Sequence, residues 1–174
     1  LRPGIEETDG LYLVERRKLE DATTLLNQGI SLAKSNRYEA ALEQLEAAVA
    51  LRPQHVDALY ISGVVHGVVK NYERSMRYFE AVLALRPDHV EALYGKGSIL
   101  VKLDKNDDAL PCLDKVLALN ASHADAWCDR GHALYKLGRQ TDAMASFGKA
   151  LALNCEHAKA IELRENCVRD GRAG

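Results

Sequence analysis

A 34-residue period governs this chain. Residues 49–63 (VALRPQHVDALYISG) align without a gap to residues 83–97 (LALRPDHVEALYGKG), and residues 116–131 (VLALNASHADAWCDRG) continue the register. Counting from Ala22 gives units 22–55, 56–89, 90–123 and 124–157, with residues 1–21 before them and 158–174 after. Such a period argues against one central core: each unit is a supersecondary element that buries its apolar face against its neighbours.

The slots of the unit say what that element is. Position 8 holds Gly29, Gly63, Gly97 and Gly131, and position 20 holds Ala41, Ser75, Ala109 and Ala143. Larger apolar residues fill position 24 (Leu45, Phe79, Leu113, Phe147), position 27 (Ala48, Val82, Val116, Ala150) and position 30 (Leu51, Leu85, Leu119, Leu153). Apolar residues recur at helical spacing in two runs per unit, as in Leu93, Gly97 and Leu100 followed by Leu110, Leu113, Val116 and Leu117. A polar break at Asp104-Lys105-Asn106 separates them. Each unit therefore reads as two antiparallel helices, A then B. The small residues let the two backbones approach and the larger ones fill the space around that contact. The expected fold is all-α, in keeping with only 6% aromatic residues and four prolines.

Proline disfavours α conformation in the residue before it, so Pro53 and Pro87 are expected to end helix B at Arg52 and Arg86. Ala121 and Cys155 take those places in the last two units, which predicts less sharp helix ends there. Asp88 with Glu91, and Ser122 with Asp125, read as capping boxes that start the next helix A. Pro111 stands near the start of a B helix, where a missing N–H costs little and a local bend is expected. Residues 158–169 supply the capping helix that a solenoid end requires, with Ala160, Leu163 and Cys167 on its buried face and Lys159, Glu162, Arg164 and Glu165 outside. Leu11–Leu19 also reads as helix, either fused with the first A helix or packed as a separate piece. The end at Leu1–Asp9, with Pro3 and Gly4, is expected to be loose, and the absence of an initiating Met points to a processed or excised chain.

Lys+Arg is 23 against Asp+Glu 25, a net charge of −2, so no global positive field exists to hold a polyanion and no nucleic-acid partner is expected. The run Arg16-Arg17-Lys18 is bounded by Glu15 and Glu20 and reads as a solvated helix face. The longest apolar stretch, Ile61–Val69, includes His66 and is too short to span a bilayer, so a water-soluble chain without direct membrane insertion is predicted. The cysteines Cys112, Cys128, Cys155 and Cys167 form no C-x-x-C pair. They are expected to be reduced structural thiols, and with no signal segment in this chain they point to a cytoplasmic setting. His55, His89, His123 and His157 recur at position 34, but equivalent points of stacked units lie about two helix widths apart, far beyond a metal–nitrogen bond of about 2 Å. They are expected to be turn residues near the start of helix A. Cys128 and His132, one turn apart on a helix, lack a second ligand pair and are expected to line a groove. No nucleophile elbow, phosphate loop or zinc-protease motif occurs, so no enzyme, metal or cofactor is expected.

Trp127, Gly131, Leu134, Ala143, Phe147 and Ala150 of the fourth unit resemble the tetratricopeptide repeat, whose signature runs W, L-G, Y, A, F, A and P over 34 residues. The likeness covers residues 22–157, about four-fifths of the chain. Departures stand at Gln28, Ser62, Lys96 and Arg130, which replace the leucine before the glycine, and at His66 in the usual tyrosine slot, and they predict softer local packing. The resemblance implies a right-handed α-solenoid whose A helices line an inner groove. Groove-facing side chains are then expected near positions 2, 5, 6, 9, 12 and 13.

On that pattern the groove carries Leu26, Asn27, Ile30, Tyr60, Ile61, Val64, Tyr94, Ser98 and Val101, with Glu91, Asp125 and Asp129 as an acidic rim. Exposed apolar strips mark partner sites. The chain is therefore expected to be a non-catalytic adaptor that captures an apolar or weakly basic peptide segment, with its tyrosines as anchors. Three alternatives stay open: a scaffold built by self-association, a regulatory segment of a larger enzyme, and a strip covered by the chain's own N-terminal lead-in. The family's clamp for acidic chaperone tails is not expected. Its Lys, Asn and Arg slots hold Leu26, Ile30, Ile61, Glu91 and Gly95, or Tyr60, Val64, Gly95, Asp125 and Asp129, and the acids among them would repel such a tail. The asparagine ladder of the sugar-transferring relatives is missing apart from Asn27.

Overall fold

A computed structural model describes residues 5–154 and 156–172, with side chains over 14–154 and 156–170. Among the described residues there are nine α-helices and no strand: α1 (Ile5–Lys34), α2 (Tyr38–Leu51), α3 (Val56–Val68), α4 (Tyr72–Leu85), α5 (Val90–Lys102), α6 (Asn106–Leu119), α7 (Ala124–Lys136), α8 (Gln140–Leu153) and α9 (Ala158–Arg172). They form two compact units, residues 1–85 with α1 to α4 and residues 86–174 with α5 to α9. In the first, α1 pairs with α2, α3 with α4, and α2 packs on α3; in the second, α5 pairs with α6, α7 with α8, and α8 packs on α9. Within each unit the A helices touch one another, α1 with α3, and α5 with α7 and α7 with α9, whereas α2 and α4, or α6 and α8, do not. The A layer is the tighter one, so it forms the inner face of each unit.

The hairpins close through the predicted small-against-large contact. A Cβ added at Gly131 would stand 2.6 Å from the Phe147 ring, and one at Gly29 would stand 2.7 Å from Leu45. Positions 24 and 27 are buried throughout, from Leu45, Leu113 and Phe147 at 0% exposure to Phe79 at 3%. Burying a side chain of that size stabilises the fold by about 1.5–3 kcal/mol. Position 30 does not join them: Leu51, Leu85, Leu119 and Leu153 are 37–46% exposed, because they sit in the last turn of helix B, beyond the contact with helix A.

Four short links join A to B. The residue at position 15 of each unit, Asn36, Lys70, Asp104 or Gly138, has φ between 58° and 74°. It is followed by a residue whose N–H returns to the carbonyl five back, as in Arg139 to Leu134 at 2.9 Å. This is the Schellman ending of a helix. All four B helices end at position 30, including α6 and α8, which were expected to end less sharply. The asparagines that follow them explain the correction: Asn120 Oδ1 accepts from the Ser122 N–H and Asn154 Oδ1 from the Glu156 N–H, both at 3.1 Å, turning the chain where proline turns it elsewhere.

The starts of the A helices also differ from expectation. Asp88 and Ser122 do not cap. Asp88 pairs with Lys115 at 2.9 Å, while His89 Nδ1 accepts the Ala92 N–H, His123 Nδ1 the Ala126 N–H and His157 Nδ1 the Ala160 N–H, at 3.2–3.3 Å. Three of the four periodic histidines are thus helix caps, with an acceptor nitrogen in the role usually taken by a Ser or Asp oxygen, while His55 stands at the same place before α3 without a side-chain cap bond. Leu11–Leu19 is fused with the first A helix, since α1 begins at Ile5; helix therefore extends into the stretch expected to be loose, of which residues 1–4 lie outside the described residues, as does Cys155. At the other end α9 buries Ala160 and Cys167 against α8 and α7, and Gln140 Nε2 donates to the Cys167 carbonyl at 2.5 Å.

Two departures from the repeat pattern are compensated by polar contacts. Arg130 donates to Asp114 Oδ1 at 2.6 Å and to Ser146 Oγ at 2.8 Å, tying α7 to α6 and α8, and Ser62 Oγ donates to the Ala58 carbonyl at 2.8 Å. His66 is different. It is 2% exposed and stacked on Tyr78 at 5.4 Å, with neither ring nitrogen hydrogen-bonded among the described residues and Glu46 Oε1 3.6 Å from its Nε2.

Candidate functional site

On the inner face of the first unit, the predicted strip divides by burial. Leu26 is 6% exposed and belongs to the core with Leu45, Ala48, Ala58 and Val65, so it is a packing residue and not a groove contact. Its helix turn carries it toward α2. Ile30 and Ile61 are half-buried against that same cluster, Tyr60 and Val64 are half-buried, and Asn27 is exposed. The Tyr60 ring lies 6.1 Å from Phe79 of its own hairpin, tilted by 40°.

The second unit concentrates polar groups on α5, α7 and α9. Tyr94, from α5, is half-buried, with its ring 4.5 Å from the capping His123 and its hydroxyl beside the side chains of Ser98 and Asp129. Burial, and then the charges of Asp129 and Asp125, hold its pKa well above that of an ordinary tyrosine. Val101 is 6% exposed and is core, because its position on α5 points into the hairpin. Glu91 stays exposed beside His89 Nδ1 at 3.2 Å, and Asp125 stays exposed while its Oδ1 meets His157 Nε2 at 2.9 Å.

Asp129 is the largest correction. It is 2% exposed and so forms no rim; Lys159 Nζ, from α9, lies 2.5 Å from its Oδ1, while its Oδ2 has no hydrogen-bond partner among the described residues. Lys159 was expected on the outer face of the cap. Burial works against its charge, but Asp129 overrides that and raises its pKa above the ordinary lysine value. The signal was available in the period: continued into α9, the 34-residue register puts Lys159 at position 2, a groove position, one repeat after Asp125.

Cys128 and His132 border the same carboxylate. Burial first, and then Asp129 and Asp125, push the Cys128 thiol up to about 12 against the opposing pull of Lys159, so it is protonated and no nucleophile. Burial and the Lys159 charge lower the His132 pKa, and its Nδ1 has no hydrogen-bond partner among the described residues. The cluster therefore offers a buried carboxylate oxygen, a neutral imidazole and a phenol hydroxyl. Such groups are able to hydrogen-bond a ligand, and with the Cys128 thiol protonated they do not pair a nucleophile with a base. Among the described residues no group of three or more His, Cys, Asp or Glu could hold a metal ion, and no helix is long and apolar enough to cross a membrane.

The comparisons agree with this architecture. A family model described as tetratricopeptide repeat matches residues 26–66, 69–103 and 96–155. No curated protein matches the chain. Among solved structures, "MamA RS-1 ArsTM double mutant" is 27% identical with a TM-score of 0.81 and covers 86% of this chain and 85% of its own. "MamA 41-end from Desulfovibrio magneticus RS-1" is 25% identical with a TM-score of 0.75, over 88% of this chain and 96% of its own. "YrrB: a TPR protein with an unusual peptide-binding site" is 25% identical with a TM-score of 0.76, over 92% and 83%. The chain belongs to the tetratricopeptide repeat family, its fold class is the α-solenoid, and that fold is one of protein–protein interaction.

Proposed function

We propose that the chain is a non-catalytic adaptor that captures a peptide segment on the inner faces of its A helices, with Tyr60, Ile61 and Val64 in the first unit and Tyr94 with Ser98 in the second. The observation that carries this reading is the inner face of the second unit, where half-buried Tyr94 stands beside Asp129, whose Oδ2, like the Nδ1 of neighbouring His132, is buried without a hydrogen-bond partner among the described residues. Such groups normally find a partner, because an unsatisfied buried polar atom costs about 1–3 kcal/mol. The likeness to a protein described as having a peptide-binding site supports it. The partner is an apolar segment carrying a basic residue, not a nucleic acid or an acidic tail, and the buried thiols of Cys128 and Cys167 suit a reducing, cytoplasmic setting.

A peptide-display library panned on the chain tests this. Selected peptides are expected to bind the wild type at least tenfold more tightly than a Tyr60→Ala, Tyr94→Ala double variant of unchanged helicity, since truncating a central aromatic anchor typically costs about 2 kcal/mol or more. Equal binding by the two proteins removes the inner face from the reading.

A further inference from the structure

The carboxylate at the centre of the second unit's inner face is already occupied, and the occupant comes from the chain's own last helix. An isolated carboxylate at 2% exposure is held at high cost, and a buried charge persists only when paired. Lys159 supplies the pair, but incompletely. Its ammonium reaches Oδ1 and leaves Oδ2 without a hydrogen-bond partner among the described residues, and the lysine side chain remains 48% exposed, which opens it toward solvent.

A guanidinium matches what the ammonium does not. It is planar and presents parallel N–H donors that engage both oxygens of a carboxylate at once, and it loses less hydration than an ammonium on burial. The surroundings favour a cation of that kind. Asp125, whose Oδ1 meets His157 Nε2, adds a second negative charge close to Lys159 and Tyr94, and the Tyr94 ring offers an aromatic surface beside Asp129. The cation that acts on this position is Lys159 itself.

We propose that Lys159 is a built-in occupant of the Asp129 carboxylate, and that an arginine side chain of a partner peptide displaces it and binds both Asp129 oxygens. This rests on the capture reading and names what the second unit selects. The site is self-occupied when empty of partner, which keeps Asp129 paired and the fold stable. Binding then exchanges one ion pair for a better one, so discrimination against an uncharged side chain is strong while net affinity stays moderate.

The test uses a display-selected peptide containing arginine and its citrulline counterpart, which has the same shape without the charge. Replacing arginine by citrulline is expected to weaken binding to the wild type at least tenfold. Lys159→Met, which keeps the stem and removes the competing charge, is expected to bind the arginine peptide several-fold more tightly and the citrulline peptide within twofold of wild type; Lys159→Gln provides the same comparison if the methionine variant is unstable. In the wild type, the 15N resonance of the Lys159 ammonium is expected to shift on adding the arginine peptide and to stay in place with citrulline. Equal binding of the two peptides, selected peptides without arginine, or an unmoved Lys159 resonance overturns the displacement while leaving inner-face capture standing. If no peptide is selected at all, the capture reading fails and the displacement fails with it.

Discussion

Gly131 and Gly148 lie in paired helices, α7 and α8, with opposite surroundings. A methyl group at Gly131 would meet the buried ring of Phe147 at 2.6 Å, whereas nothing lies within 4 Å of a Cβ at Gly148. Gly131→Ala is expected to destabilise the chain by about 1–3 kcal/mol through overpacking, and Gly148→Ala to stabilise it by about 0.5–1 kcal/mol through helix propensity, both read from urea midpoints. The same logic distinguishes Lys70 and Gly138, which share a left-handed conformation. Lys70→Gly is expected to gain stability and Gly138→Ala to lose about 1 kcal/mol, because only glycine adopts that region without a steric penalty. Histidine sets the pH response. His66, held below the ordinary value near 6.5 by burial and by Arg74 against the opposing pull of Glu46, and His132, lowered by burial and Lys159, are neutral in the folded chain. The unfolded chain then takes up more protons in acid, so their contribution to stability is complete above about pH 6.5 and is lost as the pH falls from there toward the folded values. Urea midpoints should drop between pH 7.5 and 5.5, and His66→Phe should shrink that drop; an unchanged slope would mean that His66 does not titrate on unfolding.

At the scale of the element, helix positions were legible because the glycine, alanine and large apolar slots recur in register and physics demands the same of every hairpin. The ends were less so. Nothing in the residue types marks a histidine as a cap in place of Asp88 or Ser122, since the choice depends on the backbone angle at position 34, and the role of Asn120 and Asn154 was hidden behind the missing prolines. Position 30 misled in another way, because its leucines are periodic without being buried. The last helix can be tested directly. Cys128 is covered by a cluster that includes Ala160 and Leu163 of α9. In the full chain its thiol is expected to resist a thiol reagent at neutral pH. A chain ending at residue 157 should react quickly there and exchange the amides of α7 and α8 faster. Similar reactivity in both forms would mean that α9 does not close the second unit.

For the molecule as a whole, the period identified the family and the inner layer, but not which inner-face residues remain available to a partner. Leu26 and Val101 occupy groove positions by number and core positions by packing, since the angular width of a helix face is narrower than the slots assigned to it. Asp129 looked like a surface charge because its cation comes from residue 159, outside the four counted units. What stays on the inner faces is a smaller set: half-buried tyrosines, aliphatic neighbours in the first unit, and one buried carboxylate in the second. The most direct measurement of the account is an amide chemical-shift map of the chain with a bound, display-selected peptide. Inner-face capture predicts that the largest perturbations fall on α3, α5 and α7, around Tyr60, Val64, Tyr94, Ser98 and Asp129. Perturbations gathered on α4, α6 and α8, with those residues unmoved, would contradict it.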